Sequence, residues 1–293
     1  MKKTILSLSL FSVSLLPAQL PSTEVWLFSF TMSAGTYNIS SGANVSNNPG
    51  YDNQPSFSEN GSYMLYTSQR DSNETDILRY DVRMRTTQRL TQTAFSEYSP
   101  TYMEGNKYIS AVVVEKDSVQ RLWRYNKMNA EAKVIMPKVF QVGYHCWYDV
   151  NTVFLFQVTE PSSLVLADVR TGSNRTIISD VGRCMQIYKS PKKKLLLYTQ
   201  QDTSGAYWIK ALDGNGLKVT DFAPIKAPGS SQDFAVDKNG NLVMADGTKV
   251  YQWTIGKSTE WKQVADLSGS GLHKITRLAI SPDGVHIAFV DNL

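Results

Sequence analysis

Short apolar or alternating runs, broken by clusters of Gly, Asn, Asp, Pro and Ser, recur along the chain from about residue 23 to its last residue. That period-2 texture predicts β-strands, and no segment carries the apolar i, i+3, i+4, i+7 spacing of a long amphipathic helix. The stretch TRLAISPDGVHIAFVDNL (276–293) shows the unit most clearly: two short runs folded back around Pro282-Asp283-Gly284. Asp-Gly tolerates the positive φ that a tight hairpin demands. A lone hairpin is marginal in water and leaves an edge of unpaired N–H and C=O groups, so this one needs strands from elsewhere.

The same hairpin recurs at a regular period. Its copies are PSFSENGSYMLYTS (55–68), PTYMEGNKYISAVVV (100–114), CWYDVNTVFLFQV (146–158), QIYKSPKKKLLLYTQ (186–200), DFAVDKNGNLVMAD (233–246) and RLAISPDGVHIAFVD (277–291). Each copy but the last is followed by a second strand pair: DILRYDV and QRLTQT, RLWRYN and AKVIM, SLVLADV and RTIIS, AYWIKAL and LKVTDF, KVYQWTI and WKQVADL. The unit is therefore four antiparallel strands, repeating about every 46 residues, within or just above the range of propeller repeats.

The last copy lacks its second pair, while EVWLFSF (24–30) and GTYNIS (35–40) stand alone ahead of the first complete unit. Pairing them gives an all-β, six-bladed β-propeller of four-stranded antiparallel blades, its last blade closed by N-terminal strands. A β-sandwich uses similar strands but does not explain a repeat that begins half a unit out of phase.

The opening MKKTILSLSLFSVSLLPAQ has two lysines, an apolar run too short to span a bilayer and a small residue at Ala18. We expect residues 1–18 to be a secretory signal peptide, 19–293 to be a single propeller domain, and the location to be periplasmic or secreted, with no lipid anchor and no membrane span. Loss of Lys2 and Lys3 leaves 28 basic against 26 acidic residues, about +2 net, which argues against a nucleic-acid partner. Lys192-Lys193-Lys194 reads as a solvated turn. Cys146 and Cys184 are too few to build a disulfide scaffold, and the sequence leaves open whether they bridge.

PSFSENGSYMLYTSQRDSNETDILRYDVRMRTTQRLT resembles the repeat of TolB-like propellers: Pro, an aromatic, Ser, an acidic residue, Gly, an apolar strand, Ser-x-Arg-Asp, then Asp-Ile and a strand ending in Leu-Thr. RLAISPDGVHIAFVD matches its first half, while the blades between keep the strand pattern and lose most of these residues. The resemblance implies an exported propeller that contacts an envelope protein through its open face. The α/β domain of the namesake has no counterpart between the leader and the first strand pair, so a stand-alone propeller, monomeric and without cofactor, is expected.

A propeller does not fix a function, so chemistry must come from residues. His145, His273 and His286 are the only histidines, and HExxH, GxSxG and CxxC patterns are absent. His286 reads as a strand residue and Arg70 and Asp76 as hairpin ties. First strands line a propeller's channel, and the residues leading into them rim its mouth. Asn53, Glu97, Tyr98, Tyr144, His145, Arg183, Asp233 and His273, with Asp52, Gln54, Gln232 and Lys274 beside them, form the candidate binding rim. Two functions fit it: a noncatalytic interaction scaffold for an envelope or secreted protein, or a small-molecule or glycan site. In the second, Glu97, Asn53 and Asp233 are the candidate oxygen ligands for calcium-assisted hydrolysis, although basic Arg183 and Lys274 share the rim. No catalytic residue and no resident metal are assigned.

Overall fold

The computed structural model describes residues 20–33, 35–70, 74–103, 105, 107–128 and 131–293. The expected signal peptide lies outside them. Chain order opens with β1 (Thr23–Ser33) and β2 (Thr36–Asn44). Blade I follows with β3 (Asp52–Phe57), β4 (Tyr63–Gln69), β5 (Thr75–Asp81) and β6 (Thr86–Arg89). Blade II is β7 (Ser96–Tyr102), β8 (Tyr108–Val114), β9 (Gln120–Asn126) and β10 (Ala132–Val134). Blade III is β11 (Val142–Trp147), β12 (Thr152–Gln157), β13 (Ser163–Asp168) and β14 (Asn174–Ser179). Blade IV is β15 (Met185–Lys189), β16 (Lys194–Gln201), β17 (Tyr207–Leu212) and β18 (Ile225–Lys226). Blade V is β19 (Phe234–Val236), β20 (Asn241–Asp246), β21 (Lys249–Thr254) and β22 (Lys262–Asp266), and β23 (Ile275–Ile280) with β24 (His286–Asn292) begins blade VI.

Every sheet is antiparallel and four-stranded, and blade VI runs β2-β1-β24-β23, so both ends of the propeller sequence meet in one sheet. The β1–β24 seam is in unbroken register from Thr23↔Asn292 through Val25↔Val290 to Ser29↔His286. It is sealed by packing: Phe28 is 2% exposed and meets Phe289 edge-on, ring centroids 5.6 Å apart.

Second strands explain the continuous apolar runs of the sequence. Each lies between a first and a third strand and packs both faces against neighbouring blades, so LYT in β4, AVV in β8 and IAFV in β24 are buried without alternation. In blades I to V the outermost strands are short, as in the polar TTQR of β6, which blunts their unpaired edges. The Asn-Gly and Asp-Gly tips hold Gly61, Gly240 and Gly284 at φ of +71°, +79° and +72°. At Gly61 the reason is double, since a Cβ there would sit 2.5 Å from an Asp283 carboxylate oxygen of the adjacent tip.

The outer strand of blade IV departs from the pattern. LKVTDF (217–222) contributes only the isolated bridge Leu212↔Lys218, and the outer strand is instead β18, the next apolar stretch along the chain. Burial decides it. Ile225 and Ala227 enter the core between blades IV and V at 5% and 6% exposure, whereas Leu217 is 60% exposed. Arg70 and Asp76 tie neighbouring strands rather than each other: Arg70 approaches Asp52 at 3.7 Å and Asp76 pairs with Arg89.

Candidate functional site

The first strands of all six blades converge on a cavity of about 150 Å³ on the propeller axis. Gln54, Ser99, Tyr144, Asp233 and Arg277 each stand three residues before the last paired residue of their first strand, Phe57, Tyr102, Trp147, Val236 and Ile280. They occupy one tier. Blade IV brings Gln186 to the cavity together with Arg183, which precedes its first strand. Gln54 and Ser99 hold positive φ, +58° and +52°, in the bulges that begin β3 and β7. The strain is offset by hydrogen bonds: Gln54 Oε1 accepts the Ser99 N–H of blade II at 2.7 Å and the Thr67 hydroxyl of its own blade at 3.0 Å.

An electrostatic cluster dominates this tier. Arg183 donates to Asp233 Oδ2 from Nε at 3.1 Å and from NH2 at 2.5 Å. Arg277 stands 3.7 Å from the other oxygen of Asp233, donates to the Tyr144 hydroxyl at 2.6 Å and lies 5.0 Å from the centre of that ring. Tyr144, Arg183 and Asp233 of the rim expected from sequence are thus brought together. Arg277 is not among the residues expected from sequence, because His273 and Lys274 are the polar residues that lead into blade VI. Counting back from the Asp283-Gly284 turn, as the other blades allow, reaches it.

The remaining expected rim residues lie outside this cluster. Glu97 is fully buried at the seam of blades I and II, where its carboxylate accepts from Thr91 at 3.1 Å, Tyr125 at 3.2 Å and Thr93. Burial raises it to about 7. Asn53, 5% exposed, accepts the Gln54 N–H at 2.8 Å and reaches the Thr23 hydroxyl of blade VI at 3.4 Å. Tyr98 packs edge-on against Tyr51, centroids 6.2 Å apart. His145 lines the cavity but is buried, with Nε2 2.7 Å from Ser110 Oγ, and burial lowers its pKa to about 3. His273 is 66% exposed and holds Asp291 at 2.9 Å.

Among the described residues no three His, Cys, Asp or Glu side chains gather as a metal-ligand set. Glu97 and Asn53 are engaged between blades and Asp233 is held by guanidinium, so the three oxygen donors considered for calcium do not form one site. A larger cleft, about 950 Å³, opens on the hairpin-tip face. Its aromatic rings already carry cations, Arg124 over Tyr108 at 4.7 Å and Lys194 over Tyr148 at 4.4 Å.

The architecture defines a six-bladed β-propeller. A putative TolB from Agrobacterium tumefaciens superposes with a TM-score of 0.64 at 12% identity, over 93% of this chain and 99% of that one. TolB from Acinetobacter baumannii gives 0.57 at 12% identity over 92% of this chain, which spans 64% of the TolB chain. An oligogalacturonate lyase solved with manganese gives 0.55 at 13% identity, over 88% and 82%. The fold is that of a TolB-like propeller. No protein-family description and no curated protein matches the sequence. Among the described residues no helix is long and apolar enough to cross a membrane.

Proposed function

We propose that this chain is an exported, noncatalytic β-propeller that docks a protein of the cell envelope, or another secreted chain, through its channel mouth. The observation that carries this reading is the convergence of Tyr144, Arg183, Asp233 and Arg277, from four blades, on one concave polar spot. Convergent polar and aromatic groups in a concavity are what anchors a protruding loop. The leader-like opening of the sequence supports export, and the TolB-like fold supports an interaction role. The Ser110–His145 pair gives no support to nucleophilic catalysis, because Ser110 is fully buried and burial leaves the His145 imidazole a very weak base.

Capture from an envelope extract of the source cells, with mass spectrometry, tests the docking face. The parent protein should retain a discrete partner, Arg183→Glu should lose it, and Arg277→Gln should retain less of it. Identical capture by all three would place docking elsewhere. A second reading, a small-molecule or glycan ligand in the same channel, is favoured by the fold shared with the lyase. Its calcium-assisted form predicts that added calcium raises the melting temperature. Two guanidinium groups beside Asp233 oppose that.

A further inference from the structure

We infer that the group this channel receives is a carboxylate, presented by an acidic side chain or C-terminus of the docked chain. The inference rests on the docking reading and specifies its chemistry. Charge comes first. Asp233 is the only acidic residue among those lining the cavity, against Arg183 and Arg277, so one positive charge is left over. Taking a guanidinium out of water is costly, and the cost is recovered only through well-aligned partners. Arg183 has its partner in Asp233. At 3.7 Å, Arg277 is too far from Asp233 for a hydrogen bond, and its hydrogen bond to Tyr144 uses one of five N–H donors. Its side chain remains 13% exposed, so the unspent donors have an outlet.

The neighbours supply further donors. Tyr144 oxygen accepts from Arg277, which leaves the tyrosine's own proton to give. Ser99 Oγ and His145 Nδ1 are buried beside the cavity with no partner. Trp147 Nε1 donates to Ser110 Oγ at 2.9 Å; that hydroxyl has the Thr101 carbonyl at 3.3 Å and His145 Nε2 at 2.7 Å, and donating to the nearer imidazole puts the imidazole proton on Nδ1. A planar acceptor with a single negative charge satisfies this set, since a guanidinium fork matches a carboxylate edge. The cavity of about 150 Å³ has room for several waters and suits the head of an acidic side chain.

The test is a calorimetric titration of the full chain with glutarate, with N-acetylated peptides containing Glu or ending in a free carboxylate, and with their Gln and amidated counterparts. Carboxylate-bearing peptides should bind and their neutral counterparts should not, and the peptide that survives amidation of its terminus identifies the side chain as the source. Arg277→Gln should weaken binding by about tenfold or more, the loss of a charge-assisted bond. Asp233→Asn should tighten it, because it removes the competing internal anion, a gain that a merely structural role for Asp233 does not produce. Equal binding of Glu and Gln peptides, or no carboxylate binding by the parent, would overturn the inference. If carboxylates fail to bind while Arg183→Glu still abolishes partner capture, docking stands and only the carboxylate is wrong. Glutarate binding with undiminished capture by Arg183→Glu would instead make the free acid the ligand and remove the docking reading.

Discussion

Arg277 on β23 donates a hydrogen bond to the Tyr144 hydroxyl on β11 at 2.6 Å, and these strands begin blades VI and III, three places apart in a ring of six. The bond therefore crosses the channel from one side to the other, and the tier of Tyr144, Arg183, Asp233 and Arg277 forms a plate across the axis. Tyr144→Phe keeps the ring under the guanidinium but removes the acceptor. Because part of the Arg277 side chain still reaches solvent, the loss should be moderate, about 1–2 kcal/mol in urea unfolding. An unchanged midpoint would show that the cross-channel bond contributes nothing.

Much of this architecture can be read in the sequence, and the parts that cannot share a cause. The hairpins are legible because Asn60-Gly61 and Asp283-Gly284 fix turns while LYT or IAFV beside them fixes a doubly buried strand. The N-terminal closure follows from a count of strands. What hydropathy does not encode is which of two adjacent apolar stretches will find a partner, so the pattern points to Leu217–Phe222 where Ile225–Lys226 makes the strand. The channel was legible only in part. Leading residues of first strands are polar both when they face the axis, as Arg183 does, and when they staple blades, as Glu97 does. Only the rung count from the turn separates the two.

Closure of the ring yields a direct prediction. Phe28 lies on β1, and its ring packs against Phe289 of β24 and against Gly42, where a Cβ would come 2.1 Å from the ring. Phe28→Ala empties this site at the seam and should cost about 3–5 kcal/mol. If blade VI is completed by both segments, amide exchange in β24 should accelerate along with that in β1. Faster exchange in β1 alone would mean that the seam is not cooperative with the rest.

Stability should depend on pH through groups buried between blades. Desolvation raises Glu97 to about 7 and Asp52 to about 6. In the native state they keep protons that the unfolded chain has already released, so their contribution is complete in acid and is lost as pH rises through 6 to 7. His145 acts in the opposite sense. Its pKa near 3 means that the unfolded chain alone takes up a proton as pH falls below 6.5, which lowers stability in acid. Glu97→Gln isolates one contribution. Relative to the parent, the variant should gain about 2–3 kcal/mol between pH 5 and pH 8, measured by denaturant unfolding at both. Parallel pH profiles would show that Glu97 titrates at its ordinary value.

The two cysteines are free thiols on neighbouring blades, and burial suppresses the ionisation of both. Cys184 is 7% exposed, and its sulfur both donates to the Phe234 carbonyl at 3.4 Å and accepts the Phe234 N–H at 3.3 Å. Cys146, on β11, is half-buried, and burial pushes its thiol up to about 12, while that of Cys184 is pushed up further by the same cause. The thiolate is the nucleophile, and at pH 8 a thiol with that value is ionised in roughly one molecule in ten thousand. Iodoacetamide should therefore leave the native protein unmodified over a time in which free cysteine reacts fully, and should add two groups once the chain is unfolded in guanidinium. Intact mass reads both states. A native adduct would show that a blade opens near Cys146, and failure of the unfolded chain to react without reductant would show that the two sulfurs are joined.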